Sequence, residues 1–133
     1  MTKTYHGSCH CGAVRFEADV DLAAGTIKCN CTFCTKVRMW EVHLKPEAFR
    51  LVAGADALAT YRFGERFEHP FCRHCGVRGF GFGYVEELGG DVVYLHLATL
   101  DDLPPAALAE APIHYANGRE NLWWEPAPEF RHL

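Results

Sequence analysis

At 133 residues, 49% hydrophobic and 23% charged, the chain has the composition of one globular domain, long enough to bury roughly two-thirds of its unfolded surface without a metal to hold it. A formal charge of −4 with scattered basic residues excludes the basic face of an electrostatic nucleic-acid binder and any polybasic membrane segment. No stretch approaches the roughly 20 apolar residues of a membrane span, and Met1 to Gly7 lacks a signal peptide's apolar run, so the expected compartment is the cytoplasm.

Short alternating runs dominate. Ala13 to Val20 alternates with a period of two, as a half-buried strand does, and Met39 to Leu44 is a second strand closed off by Lys45-Pro46. Phe49 to Val52 follows, then Leu58 to Phe63 and Arg66 to Phe71, which form a hairpin turning at Gly64-Glu65. Val77 to Tyr84 and Asp91 to Ala98 complete the strands. In the first of these, Gly79, Gly81 and Gly83 alternate with Phe80 and Phe82, the mark of a closely packed strand rather than a phosphate loop. Helix is confined to a turn over Thr32 to Val37 and another over Pro104 to Ala109. After Pro112 the chain reads as an irregular tail wrapping the sheet. The expectation is a mainly β single domain spanning residues 1–133.

The anomaly is seven cysteines. An odd count without a secretion signal does not suit a disulfide framework, whereas spacings of one and two intervening residues suit chelation. Cys9 and Cys11, then Cys29, Cys31 and Cys34, then Cys72 and Cys75 divide as four plus three: a closed, structural tetrahedral site and a site with one position free. Two partitions are open. Cys31, Cys34, Cys72 and Cys75 could make a ribbon-like site; or Cys9, Cys11, Cys72 and Cys75 could close together, leaving Cys29-Asn30-Cys31-Thr32-Phe33-Cys34 to hold its own ion. Three donors on one tight loop favour the second.

Gly7-Ser8-Cys9-His10-Cys11-Gly12-Ala13-Val14-Arg15-Phe16-Glu17, Cys29 to Cys34, and Phe71-Cys72-Arg73-His74-Cys75-Gly76 occur in that order. Together they resemble the three motifs of the glutathione-dependent formaldehyde-activating enzyme family, which also includes centromere protein V-like proteins. Leu97 to Pro105 fits the same pattern, so the resemblance spans roughly residues 5 to 105. It implies a β-tent of twisted antiparallel sheets. It implies two zinc ions per chain, a structural one on Cys9, Cys11, Cys72 and Cys75 and a catalytic one on Cys29, Cys31 and Cys34. It also implies a carbon–sulfur lyase of the S-hydroxymethylglutathione synthase kind, joining glutathione or a similar thiol to an aldehyde such as formaldehyde.

A thiolate-rich zinc site favours a fourth sulfur and deprotonates a bound thiol, so thiol–aldehyde chemistry suits it better than hydrolysis. Glutathione's carboxylates call for nearby cations. Lys36 and Arg38 are the candidates closest in sequence, with Trp40 as an apolar wall. His10 and His74 sit inside cysteine motifs without being needed as ligands, His69 and His96 are expected to be structural, and His114 is a candidate proton shuttle. The competing readings are a non-catalytic zinc-binding interaction domain and a redox or zinc-buffering module. Expected partners are a small thiol and a second copy of the chain, with neither nucleic acid nor membrane.

Overall fold

The computed structural model describes all 133 residues. Its alternating segments build two sheets. The smaller one holds β1 (Lys3–Ser8), β2 (Arg15–Val20) and β5 (Phe49–Ala53), antiparallel in the order β1-β2-β5. The larger one holds β3 (Thr26–Cys29), β4 (Glu41–Leu44), β6 (Leu58–Arg62), β7 (Phe67–Cys72), β8 (Phe80–Val85), β9 (Gly90–His96), β10 (Ile113–Asn117) and β11 (Leu122–Pro126). Their order is β11-β10-β3-β4-β9-β8-β7-β6. The two α-helices are short, α1 (Thr32–Val37) and α2 (Pro105–Glu110), and no helix is long and apolar enough to cross a membrane.

The expected strands and both helical turns appear within a few residues of their anticipated bounds, including the β6–β7 hairpin. Three features differ from expectation. β1 and β3 lie outside the expected strands. One pairing, β3 with β10, is parallel, so the larger sheet is mixed. The segment after Pro112 is not an irregular tail but two strands of that sheet. Its local pattern is weak because β10 takes its register from β3, far away in sequence, and shifts at Ala116/Asn117 against β11.

The core lies between the sheets. Phe16, Ala18 and Val20 of β2 meet Val42 of β4, Phe80 of β8, and Val93 and Leu95 of β9. Phe16 and Phe80 pack edge to face with ring centroids 5.2 Å apart, and burying each such ring contributes about 1.5–3 kcal/mol. Because strand side chains alternate, the intervening residues of β4 and β9 face the other way. Glu41, His43 and Tyr94 therefore emerge on the second face of the larger sheet. There the alternating glycines make room: a Cβ on Gly81 would lie 2.0 Å from the Tyr94 ring, and one on Gly83 would lie 2.2 Å from Phe67.

Candidate metal centres and cavity

All seven thiols gather into two clusters, in each of which the sulfur atoms lie within 4.8 Å of one another. The first joins Cys9 and Cys11 from the β1–β2 connection to Cys72 and Cys75 at the end of β7, so it bridges the two sheets. Gly12 and Gly76 supply the left-handed turns after each pair, with φ of +82° and +77°. The Cys9–Cys11 and Cys11–Cys72 sulfur separations are both 3.7 Å. That is the edge of a tetrahedron with metal–sulfur bonds of about 2.3 Å, and far longer than a disulfide. The backbone N–H groups of Cys11 and Val77 hold the Cys75 thiol down at about 6, which keeps it available as a thiolate. Four thiolates in this geometry fit a closed zinc site.

The second cluster is Cys29, Cys31 and Cys34. Cys29 ends β3, and Cys31 is the N-cap of α1, its sulfur accepting from the Cys34 N–H at 3.3 Å. The Cys31 N–H in turn donates to the Cys29 sulfur at 3.3 Å. Hydrogen bonds from Cys29 and then Cys34 hold Cys31 far below the ordinary thiol range, while Cys31 pushes Cys29 up to about 11, and Cys29 followed by Cys31 pushes Cys34 higher still. The three sulfurs thus share one negative charge, ready to take a cation. The donor set fits a thiophilic ion such as zinc with a position left over.

The loop bearing these thiols is braced from the far end of the chain. Asn30 is buried; its Nδ2 donates to Asn117 Oδ1 at 3.0 Å, and its Oδ1 accepts from the Arg119 N–H at 2.9 Å. Arg119 Nε donates to the Asn30 carbonyl at 3.0 Å, and the Asn30 N–H donates to the Ala116 carbonyl at 3.1 Å. Gly118 closes the brace, for a Cβ there would sit 2.4 Å from the Cys29 sulfur and 2.1 Å from the Trp123 ring.

A cavity of about 780 Å³ opens on the second face of the larger sheet, and Cys29, Cys31 and Cys34 line it, whereas none of the other four cysteines does. Two hydrogen-bonding couples stand in its wall. Glu41 and His43 are 3.2 Å apart; burial opposes the imidazolium, but Glu41 outweighs it and His43 is raised above the ordinary histidine value. His69 Nδ1 and the Tyr94 hydroxyl are 2.8 Å apart and both buried. Burial, reinforced by Arg78, pushes His69 down, and burial pushes Tyr94 up, so both are neutral.

The structure places the other sequence candidates variously. Lys36, Arg38 and Trp40 do not line the cavity. Lys36 is exposed on the last turn of α1. Arg38 ends that helix in a left-handed conformation, φ 57°, and donates from Nη1 to the His132 carbonyl at 2.6 Å. The Trp40 indole N–H donates to Thr26 Oγ1 at 2.9 Å while its ring packs on the core. His10 and His74 are exposed beside the four-cysteine cluster. His96 is half-buried against the Trp40 backbone. His114 lines the cavity, with Nε2 3.0 Å from the Trp123 carbonyl. His69 is in the cavity wall, and its Nε2 has no partner. Glu41, His43 and Tyr94 escape a reading by motif; their signal is the polar half of a period-two alternation in strands that otherwise look like core.

A solved crystal structure of a Rhodobacter sphaeroides protein superposes with a TM-score of 0.67 at 30% identity, covering 81% of this chain and 98% of that one. The family model described as glutathione-dependent formaldehyde-activating enzyme matches residues 4–117, a span that contains both cysteine clusters and the strand bracing the second. The chain belongs to the glutathione-dependent formaldehyde-activating enzyme family.

Proposed function

We propose that the chain is a zinc-dependent carbon–sulfur lyase that makes or breaks the adduct between glutathione, or a similar thiol, and an aldehyde. The observation carrying this reading is the asymmetry of the clusters: three thiols line a cavity, and the four that join the two sheets, Cys11 exposed among them, do not. Zinc on Cys29, Cys31 and Cys34 would supply a Lewis acid that favours the thiolate form of a substrate thiol.

In the addition the sulfur–carbon bond forms as the carbonyl π bond breaks, and the thiol proton ends on the carbonyl oxygen; cleavage runs the same steps backwards. The neutral Tyr94–His69 couple offers that oxygen a hydrogen bond through His69 Nε2, which has no partner within the protein. Arg66 is the one lysine or arginine of the lining and takes a substrate carboxylate. A substrate seated against the apolar remainder would displace water from the reacting carbon.

Metal counting separates this reading from its competitors. Wild type should hold two zinc ions, one per cluster; Cys34→Ser should hold one, stay folded and lose glutathione binding, while Cys75→Ser should lose the fold. A wild type with one zinc, or a Cys34→Ser variant that melts as Cys75→Ser does, would mark the chain as a structural zinc module.

A further inference from the structure

The cavity is larger and more apolar than the family's namesake aldehyde needs. Fifteen of its twenty-six lining residues are hydrophobic, and about 780 Å³ lies in the upper part of the range for pockets that enclose drug-sized ligands. Formaldehyde is one carbon and one oxygen. Glutathione is a polar tripeptide with two carboxylates, yet Glu41, Glu65 and Glu87 line the cavity against the single Arg66. Formaldehyde is too small to cover the aromatic part of the wall, and glutathione has no ring to stack on it.

That part is built from segments distant in sequence. Phe63 comes from the β6–β7 turn, Tyr84 from β8, and Trp123 and Trp124 from β11. All four remain substantially exposed, at 45%, 53%, 44% and 62%. Large aromatics left in water and converging on one concavity mark a binding surface rather than a core. They stand on the same cavity as the three thiols, so whatever they cover is within one ligand's length of the cluster.

We infer that the adduct handled at this site carries a bulky aromatic group on its carbonyl-derived half, bound by Phe63, Tyr84, Trp123 and Trp124 while the sulfur reaches Cys29, Cys31 and Cys34. The inference rests on the thiol-adduct reading above and specifies its electrophile as an aromatic aldehyde. The reaction stays a balanced addition: the thiol S–H adds across the aldehyde C=O with no external oxidant or reductant.

Uncleavable thioethers test it on the zinc-loaded chain. S-(2-naphthylmethyl)glutathione and S-methylglutathione differ only in the aromatic group, and their affinities can be measured by calorimetry beside 2-naphthylmethanol, which has no sulfur. The naphthylmethyl thioether should bind at least about tenfold tighter, and tryptophan fluorescence should change with it. Trp124→Ala and Tyr84→Ala, both at exposed positions, should lose that gain, so that the naphthylmethyl thioether binds no tighter than S-methylglutathione. Equal affinity of the two thioethers overturns the aromatic assignment and leaves the thiol reading standing. A tenfold gain that survives in both variants also overturns it, because the ring would then bind elsewhere. If 2-naphthylmethanol binds as tightly as its thioether and glutathione does not bind, the thiol reading fails and takes the adduct with it.

Discussion

Gly118 shows how a single missing methyl group can hold a metal site open. Its would-be Cβ overlaps both the Cys29 sulfur, at 2.4 Å, and the Trp123 ring, at 2.1 Å, and neither is the loose end of a flexible chain. Gly118→Ala should destabilise the fold by about 1–3 kcal/mol, the usual cost of overpacking, and should lower zinc occupancy at the three-cysteine cluster alone. Denaturant unfolding and metal stoichiometry check both halves; unchanged occupancy would free Gly118 of its role. The thiols themselves set a second expectation. Because Cys31 is held low while Cys29 and Cys34 are pushed up, loading an ion near neutral pH must displace about two protons. Affinity at that cluster should therefore rise roughly a hundredfold per pH unit, measurable by competition with a chelator at two pH values. A pH-independent affinity would contradict the charge sharing described for the metal-free cluster.

Among the elements, β1 is tied down by charge as well as by its ladder. The His6 N–H donates to Asp102 Oδ1 at 2.9 Å, its ring lies 2.8 Å from Asp102 Oδ2, and Ser8 Oγ donates to Asp101 at 2.7 Å. The hydrogen bond with Asp102 raises His6 from its ordinary 6.5, so this link is at full strength below that value and fades as pH climbs through the raised one. Burial resists ionisation of Asp102, but His6 outweighs it and the carboxyl lies below its ordinary 3.8; the link is lost again as pH falls through that depressed value. The window is mildly acidic. Melting temperatures of wild type and His6→Gln should accordingly differ most near pH 5.5 and converge by pH 8.5, and a constant gap would show that the ring acts by packing alone.

For the molecule as a whole, legibility followed the range of the interactions. β2, the β6–β7 hairpin and both helical turns announce themselves because alternation, turn residues and caps are local. The division of the thiols was also within reach, since three donors on one loop differ chemically from two distant pairs, and the structure gathers them in that way. β10 was hidden because its parallel partner β3 leaves no nearby turn signal, and β11 because it hangs on β10 alone through a pairing broken by a register shift. Lys36, Arg38 and Trp40 drew notice through nearness in sequence to Cys34, but α1 and its left-handed end carry them away from the cavity. What lines it instead is the second face of a sheet, assembled from seven strands and legible only once their order is known.

The brace on the three-cysteine loop has a bearing on how the chain assembles. Asn30 and its partner Asn117 are 87 positions apart, a separation that slows contact formation because the entropy of closing so long a loop is lost before the contact rewards it. The four-cysteine staple needs only the chain as far as Cys75. On a growing chain the thiols from distant motifs can thus be locked in first, while the three neighbours in sequence wait for the last strands to arrive. Nearness along the chain and order of completion run in opposite directions here, and the interval between them is when Cys29, Cys31 and Cys34 are most open to stray oxidants and competing metals.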